Sequence, residues 1–475
     1  MRTHSRFLPQ ATLIAIMAAV TWSAASREKA GAALPGQGDI PNILLIQADD
    51  LGYGDLGSYG QTGFETPSLD RLAREGIRFT HYYAGSTVCA PSRAALMTGL
   101  HTGHAWIRGN GEIPLRPEDV TLGEVLAAAG YRTAVIGKWG LGSQDTTGLP
   151  GLQGFEYAFG FLDHRHAHRQ FTDHVYRNGQ RVDLDEARQY ANDLFTEEGM
   201  AFISRDDPRP FFVYLNYTVP HAELRVPDDS IEAYRGRYAE RPFVNEAADA
   251  RADRWVPGSR SLGYRSQPEP RAAYAAMVAR LDRDVGRLVD LIDARGVGAR
   301  TVVLFTSDNG PHREGGADPQ FFRSSGGLRG IKRDLYEGGI RVPMIARWTG
   351  TIPEGRESAH PWAHWDLLPT LAELARADVP SGLDGMSMRE ALVGRAQPTH
   401  PFFYWEFHER GFQQAVRMND WKAVRLSKDA TLELYDLSTD PAEANDVAAA
   451  HPDVVAKIEA FLETARTESE RWPVR

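Results

Sequence analysis

Residues 42–50 read Asn42-Ile43-Leu44-Leu45-Ile46-Gln47-Ala48-Asp49-Asp50. An apolar run this short that stops on an acidic pair has the form of a strand buried on both faces, with its C-terminal end opening onto something polar. The same form recurs. Thr133–Ile136 runs into Gly137-Lys138, Phe211–Asn216 leads to Pro220-His221, and Thr301–Phe305 ends at Ser307-Asp308-Asn309-Gly310; Val342–Ala346 is a further apolar run. Helical signals lie between the runs. Thr66–Glu75 has Thr66 as N-cap, Pro67 at the first helical position and Gly76 as a stop, and Val120–Gly130 opens on the capping box Thr121…Glu124. Arg271–Arg295 carries Met277, Leu281, Val285, Leu288 and Ile292 on one helical stripe. Alternating strands and helices predict an α/β fold, a large central sheet, mainly parallel or mixed, sandwiched by helices. The composition of the chain end differs. Hairpin strands over Ala415–Arg425 and Leu432–Leu437 and a helix over Asp453–Ala465 predict a smaller C-terminal α+β subdomain, an antiparallel sheet plus a helix. The expected division is a main domain over 40–395 and this subdomain over 400–475. Residues Ala222–Pro270, polar and rich in Arg and Pro, read as a surface excursion.

The chain has 475 residues, 42% of them hydrophobic and 24% charged, which excludes disorder, collagen-like repeats and a multispan membrane protein. A net charge of −10 argues against nucleic acid as the main partner and leaves room for a local basic pocket. At the N-terminus, Arg2 and Arg6 precede the apolar stretch Ala11–Val20 and the small residues Ser23, Ala24 and Ala25. That pattern reads as a signal peptide over 1–26, too short to span a bilayer, so the expectation is an exported, periplasmic or secreted protein with no stable membrane insertion. Only one cysteine, Cys89, is present, which is unusual for an oxidising compartment.

Asp49, Asp50, Lys138, His221, Asp308 and Asn309 all follow apolar strands, and in parallel sheets such ends converge on one ligand-binding edge. Carboxylate and amide oxygens there suit a hard divalent cation, Ca²⁺ or Mg²⁺, rather than zinc. In Cys89-Ala90-Pro91-Ser92-Arg93, Pro91 can open a helix whose free N–H groups lie beside Cys89, and Arg93 adds a rigid positive fork. Sulfur is a poor ligand for a hard cation, a conflict that disappears if Cys89 is not a thiol in the mature protein.

The segment Cys89-Ala90-Pro91-Ser92-Arg93, followed by Thr98-Gly99, resembles the sulfatase signature. Asp49-Asp50-Leu51-Gly52-Tyr53-Gly54-Asp55, Gly137-Lys138-Trp139, Asp308-Asn309-Gly310 and Tyr336-Glu337-Gly338-Gly339-Ile340-Arg341 match the same family in its order, from about Pro41 into the C-terminal piece. The resemblance implies the alkaline phosphatase superfamily fold and oxidation of Cys89 to formylglycine (3-oxoalanine) by a formylglycine-generating enzyme. It also implies a cation, Ca²⁺ rather than Mg²⁺, held by Asp49, Asp50, Asp308, Asn309 and modified Cys89. One hydroxyl of the hydrate would attack the sulfur of a small-molecule or carbohydrate sulfate ester, with Asp308 taking its proton. Lys138 and Lys332 would contact sulfate, Arg93 would orient the hydrate, and His221 would protonate the leaving alcohol; charge developing on those oxygens calls for such groups.

One position departs from the pattern. Many sulfatases read Gly-Lys-Trp-His-Leu-Gly, and here the histidine is Gly140. Asp163-His164-Arg165-His166-Ala167-His168, with His174, is the expected source of a replacement, and His168 is a candidate substrate contact. Trp106, Phe161 and Trp405 are candidates for a carbohydrate subsite, although core packing is the commoner role for such rings, and Arg108 and Asn110 are candidates for contact with the alcohol portion. A phosphate mono- or diester hydrolase of the same superfamily, or an inactive protein that binds sulfated glycans, remains as an alternative.

Overall fold

The computed structural model describes residues 40–250 and 263–474. The expected signal peptide lies outside them. The run that opens the sequence forms β1 (Asn42–Asp49), one strand of an 11-stranded sheet. Its neighbours are β7 (Phe211–Pro220) and β8 (Thr301–Ser307), both parallel to it. Beyond β7 lie β3 (Arg132–Lys138) and β4 (Tyr157–Phe161), again parallel. The sheet is mixed at its margins. β9 (Arg341–Arg347) pairs antiparallel with β8 and with β2 (Ile77–Tyr83), and β5 (His174–Arg177) and β6 (Gln180–Asp183) add an antiparallel hairpin beside β4.

Side-chain alternation along β1 divides the core. Leu44, Ile46 and Ala48 face the layer containing the long helix Pro270–Ala294, α1 (Pro67–Arg74) and α4 (Ala191–Ile203). Ile43 and Leu45 face α2 (Cys89–Thr98), α3 (Leu122–Ala128) and the helix Leu367–Leu374. Every β1 residue from Ile43 to Asp49 is buried, so truncating Leu45 to Ala would cost about 2–5 kcal/mol.

The helix signals hold with one change of mechanism. Thr121 and Glu124 form the expected capping box of α3. Thr66 precedes α1 but makes no side-chain cap; its Oγ1 accepts the Gly57 N–H and donates to Asp70 instead.

Phe403–Phe407 (β12), Gln413–Met418 (β13), Trp421–Arg425 (β14) and Glu433–Asp436 (β15) form a separate antiparallel four-stranded sheet. The helix Pro452–Leu462 covers one face. The other packs on Tyr83, Ala95, Ile340 and Trp365 of the main body, within one compact unit over Ile40–Arg475.

Three sequence readings are decided here. Phe161 and Trp405 are fully buried core residues, and Trp106 packs against the core with its indole N–H on the Pro114 carbonyl, because rings this large are used to fill the space between layers. Arg108 is also internal. It donates to Glu406 and to Thr467, bracing the C-terminal sheet and the segment after its helix. The excursion over 222–270 is not confined to the surface, since Tyr264 turns back into the site described next.

Candidate active site

The strand ends do converge. β1 terminates in Asp49, and Asp50 follows in a left-handed conformation with φ 65°. Such a backbone is uncommon for a side-chain-bearing residue and marks a constrained, often functional position. The turn is held by the Asp50 N–H donating to Asp308 Oδ1 at 3.0 Å and the Leu51 N–H donating to Ser307 Oγ at 2.9 Å. Two strand ends, β1 and β8, are thereby tied.

Cys89 opens α2, and its Sγ lies 3.4 Å from Asp49 Oδ1, 4.0 Å from Asp50 Oδ1 and 3.5 Å from Lys332 Nζ. Lys138, the last residue of β3, donates to Asp49 Oδ2 at 2.6 Å, and Lys332 to Asp50 Oδ2 at 2.8 Å. Asn309 Nδ2 donates to Asp50 Oδ1 at 2.7 Å. Arg93, one turn along α2 from Cys89, is fully buried. Its Nε and Nη2 grip Asp308 Oδ2 at 3.1 and 2.8 Å, and its Nη1 donates to the Lys138 carbonyl at 2.9 Å and to Asn216 Oδ1 at 3.1 Å. The guanidinium fork is thus engaged just past the end of β8, at the last residue of β3 and at Asn216 within β7. Ser92 ties the same helix to the Asp308 carbonyl and to His364 Nδ1.

Burial and charge set the protonation pattern. Burial, reinforced by the Asp49 carboxylate, pushes the Cys89 thiol well above its ordinary range. Burial also lifts the Asp308 carboxyl, which Arg93 pulls back. For Lys138 and Lys332 burial acts downward, but Asp49 and Asp50 outweigh it and both ammonium groups are held up. Three acids (Asp49, Asp50, Asp308) therefore face three bases (Arg93, Lys138, Lys332), and the inner cluster is close to neutral.

The donor set fits a hard cation. Asp49, Asp50, Asp308 and Cys89 each offer an atom within 4.8 Å of the others. Asn309 Oδ1 is buried with no hydrogen-bond partner among the described residues, a cost that an ion ligated by that oxygen removes.

His221, just past the end of β7, donates from Nδ1 to the Ala222 carbonyl at 2.5 Å, which directs Nε2 to within 3.4 Å of Asp50 Oδ2 and of Glu314 Oε2. Its ring is stacked between His168, with centroids 4.1 Å apart, and His312, at 5.3 Å. Glu314 accepts from Tyr264 Oη at 2.9 Å and pairs with Arg333 at 2.5 Å.

The histidine-rich segment divides. His168 joins the site through His221, and His164 packs beside Gly140, whose added Cβ would lie 3.5 Å from that of His164. Gly140 has φ 73°, a backbone that disfavours a histidine at that position. His166 and His174 pack against each other with ring centroids 4.4 Å apart and planes tilted by 41°, and His174 bonds to Asp173. Asn110 accepts the Ala90 N–H at 3.0 Å, so it supports the start of α2.

Sequence reading missed Asn216, Tyr264, His312, Glu314 and Arg333. Glu314 had a signal, a carboxylate on the same loop as Asp308; Tyr264 had none.

Residues 41–377 match the sulfatase family model, and residues 331–468 match that of the C-terminal region of N-sulphoglucosamine sulphohydrolase. The chain belongs to the sulfatase family. This sulfatase is 34% identical to human arylsulfatase A, over 87% of its own chain and 85% of that protein. It is 28% identical to an N-acetylgalactosamine-6-O-sulfatase of Bacteroides thetaiotaomicron, covering 90% and 93% of the two chains. Among solved structures it superposes on Ps i-CgsB in complex with k-i-k-neocarrahexaose with a TM-score of 0.76 and 27% identity, covering 92% and 95% of the chains. The sulfatase is an enzyme that hydrolyses sulfuric esters, and its fold is that of the alkaline phosphatase superfamily. Among the described residues no helix is long and apolar enough to cross a membrane.

Proposed function

We propose that this sulfatase uses formylglycine at position 89 and a calcium-type ion to cleave a sulfate ester on a carbohydrate. The observation that carries the reading is the placement of Cys89 Sγ inside a cage of oxygen donors, 3.4 Å from Asp49. There the thiol is held neutral by burial and by Asp49, so it has little thiolate character and makes a poor nucleophile. The Cys89 sulfur stands where one oxygen of a hydrated aldehyde would sit, and an oxygen suits both the cation and attack on sulfur.

Asp49, Asp50, Asp308 and Asn309 would hold the ion, whose chemistry is to polarise a ligated oxygen and offset charge on the sulfuryl group. Lys138 and Lys332, on opposite sides of the cage, would bind the sulfate oxygens. Arg93 acts by holding Asp308 and α2 in place. His221, anchored through Nδ1, presents Nε2 to exchange a proton with the departing alcohol. The names of the relatives support a sugar ester, since one is an N-acetylgalactosamine-6-O-sulfatase and another structure holds a neocarrahexaose. The same reading places a signal peptide over 1–26, with export to the periplasm or outside, a catalytic domain over 40–395 and a C-terminal subdomain over 400–475. A formylglycine-generating enzyme is the maturation partner.

The test is peptide mass mapping of residue 89 together with sulfate release. The aldehyde form at position 89 and loss of sulfate release in Cys89→Ala are expected. Full turnover by Cys89→Ala would overturn the reading.

A further inference from the structure

We propose that a basic cavity beside the catalytic site receives a second sulfate group of the same substrate chain, so that the preferred substrate is a carbohydrate sulfated on at least two neighbouring residues. This rests on the reading of the catalytic site as one for carbohydrate sulfate esters.

The cavity encloses about 500 Å³ and is lined by Arg313, Gln320, Arg323, Arg329, Asp334 and Tyr336, among others. That volume lies within the roughly 300–1,000 Å³ of small-ligand sites. Its charge is one-sided. Arg313 and Arg323 are exposed, and neither has a carboxylate in ion-pair range among the described residues. Their neighbours differ: Arg271 pairs with Asp318, and Arg333 with Glu314. The carboxylate in the lining, Asp334, is already engaged by the Ile331 N–H at 3.1 Å and by Arg410 at 3.2 Å. Arg329 is fixed at the back, over the Tyr336 ring and bonded to the hydroxyls of Tyr336 and Tyr435. In a chain with a net charge of −10, two unpaired guanidinium groups beside a third locked one mark a place for an anion. The planar guanidinium fork matches the oxygens of a tetrahedral oxyanion better than an ammonium group does.

The position relative to the catalytic cage gives the anion its identity. Two of the lining residues directly precede residues of the site. Ile331 precedes Lys332, whose Nζ is 3.5 Å from Cys89 Sγ, and Arg313 precedes Glu314, which is 3.4 Å from His221 Nε2. With consecutive Cα atoms about 3.8 Å apart, a sugar next to the one being desulfated falls against these arginines, and its sulfate is the oxyanion they fit.

The experiment uses the mature, active protein and three probes: 4-nitrophenyl sulfate, a monosulfated oligosaccharide, and the same oligosaccharide sulfated on two adjacent residues. The wild-type kcat/KM is expected to favour the disulfated over the monosulfated probe by about tenfold, the worth of one to two charge-assisted hydrogen bonds at a partly solvated site. In the Arg313→Ala/Arg323→Ala double variant the ratio falls to about one, through KM. The Arg313→Lys/Arg323→Lys double variant retains part of it. Raising salt compresses the wild-type ratio, since exposed charges are screened, and leaves the ratio of the alanine variant unchanged. A wild-type ratio near one, or an alanine variant that keeps the wild-type ratio, overturns the subsite while hydrolysis of 4-nitrophenyl sulfate leaves the sulfatase reading standing. If the wild type releases sulfate from 4-nitrophenyl sulfate but from neither oligosaccharide, the reading of the site as one for carbohydrate sulfate esters falls, and the subsite with it.

Discussion

Replacing Lys332 by Met keeps most of the unbranched side chain and removes the charged ammonium group. The ammonium group is buried and donates to Asp50 Oδ2 at 2.8 Å. Without it the Asp50 carboxylate keeps the Asn309 amide at 2.7 Å but loses its balancing charge. Breaking a buried pair in this way costs about 3–5 kcal/mol of stability. A divalent ion in the same cage takes over that balance, so adding calcium should remove most of the deficit. Catalysis should not recover with it. A cation aimed at charge that builds up in the transition state is worth about 10²–10³ in kcat, and on the proposed reading the ion belongs to the wild-type site as well. The assay is urea unfolding of Lys332→Met and wild type with chelator and with saturating calcium, followed by kcat on an aryl sulfate in calcium. A stability deficit that is the same in both conditions, or a folded variant with kcat within threefold of wild type, would refute the assignment of Lys332 and the ion to one shared cage.

Two further outcomes are expected away from that cage. Arg108→Ala should lower unfolding free energy by about 3 kcal/mol, because Arg108 is buried against Glu406, yet leave kcat and KM of the folded enzyme within twofold; a large kinetic effect would restore Arg108 as a substrate contact. Asp55 is fully buried, its Oδ2 accepting from the Gly52 N–H and Tyr274 Oη at 2.8 and 2.6 Å, and burial raises its carboxyl to about 7. A raised acid keeps its proton in the folded state while the unfolded chain has lost it, so stability falls as pH rises from about 4 to 7, by at most about 4 kcal/mol. Asp55→Asn should flatten that slope and gain stability at pH 7.5 relative to pH 5; equal slopes in urea unfolding would count against the neutral carboxyl.

The strands could be read from sequence because each is a continuous apolar run buried on both faces, and their polar ends carried the site with them: Asp49, Asp50, Lys138, His221 and Asp308 all meet. The antiparallel direction of β9 left no such mark, since a run such as Val342–Ala346 is equally apolar either way. Core packing is the commoner expectation for the aromatic residues, and it holds. Phe161 and Trp405 carry no label that separates a sugar platform from a core filler, and the distance between layers decides. Arg93 was legible as a buried positive group but not in its partners, because Asp308, Asn216 and the Lys138 carbonyl come from segments 45 to 215 positions away. Tyr264 and Glu314 reach His221 from loops whose course no local pattern sets.

Helix α2 seals what it carries. Cys89 is 2% exposed, and Arg93 locks the helix to Asp308, to the Lys138 carbonyl and to Asn216 at once. Once that latch has closed, a second protein has no path to the sulfur. On the proposed reading, a catalyst that oxidises residue 89 would therefore meet the chain while this segment is still extended, and the depth at which one side chain finally rests would set the order of events in biogenesis.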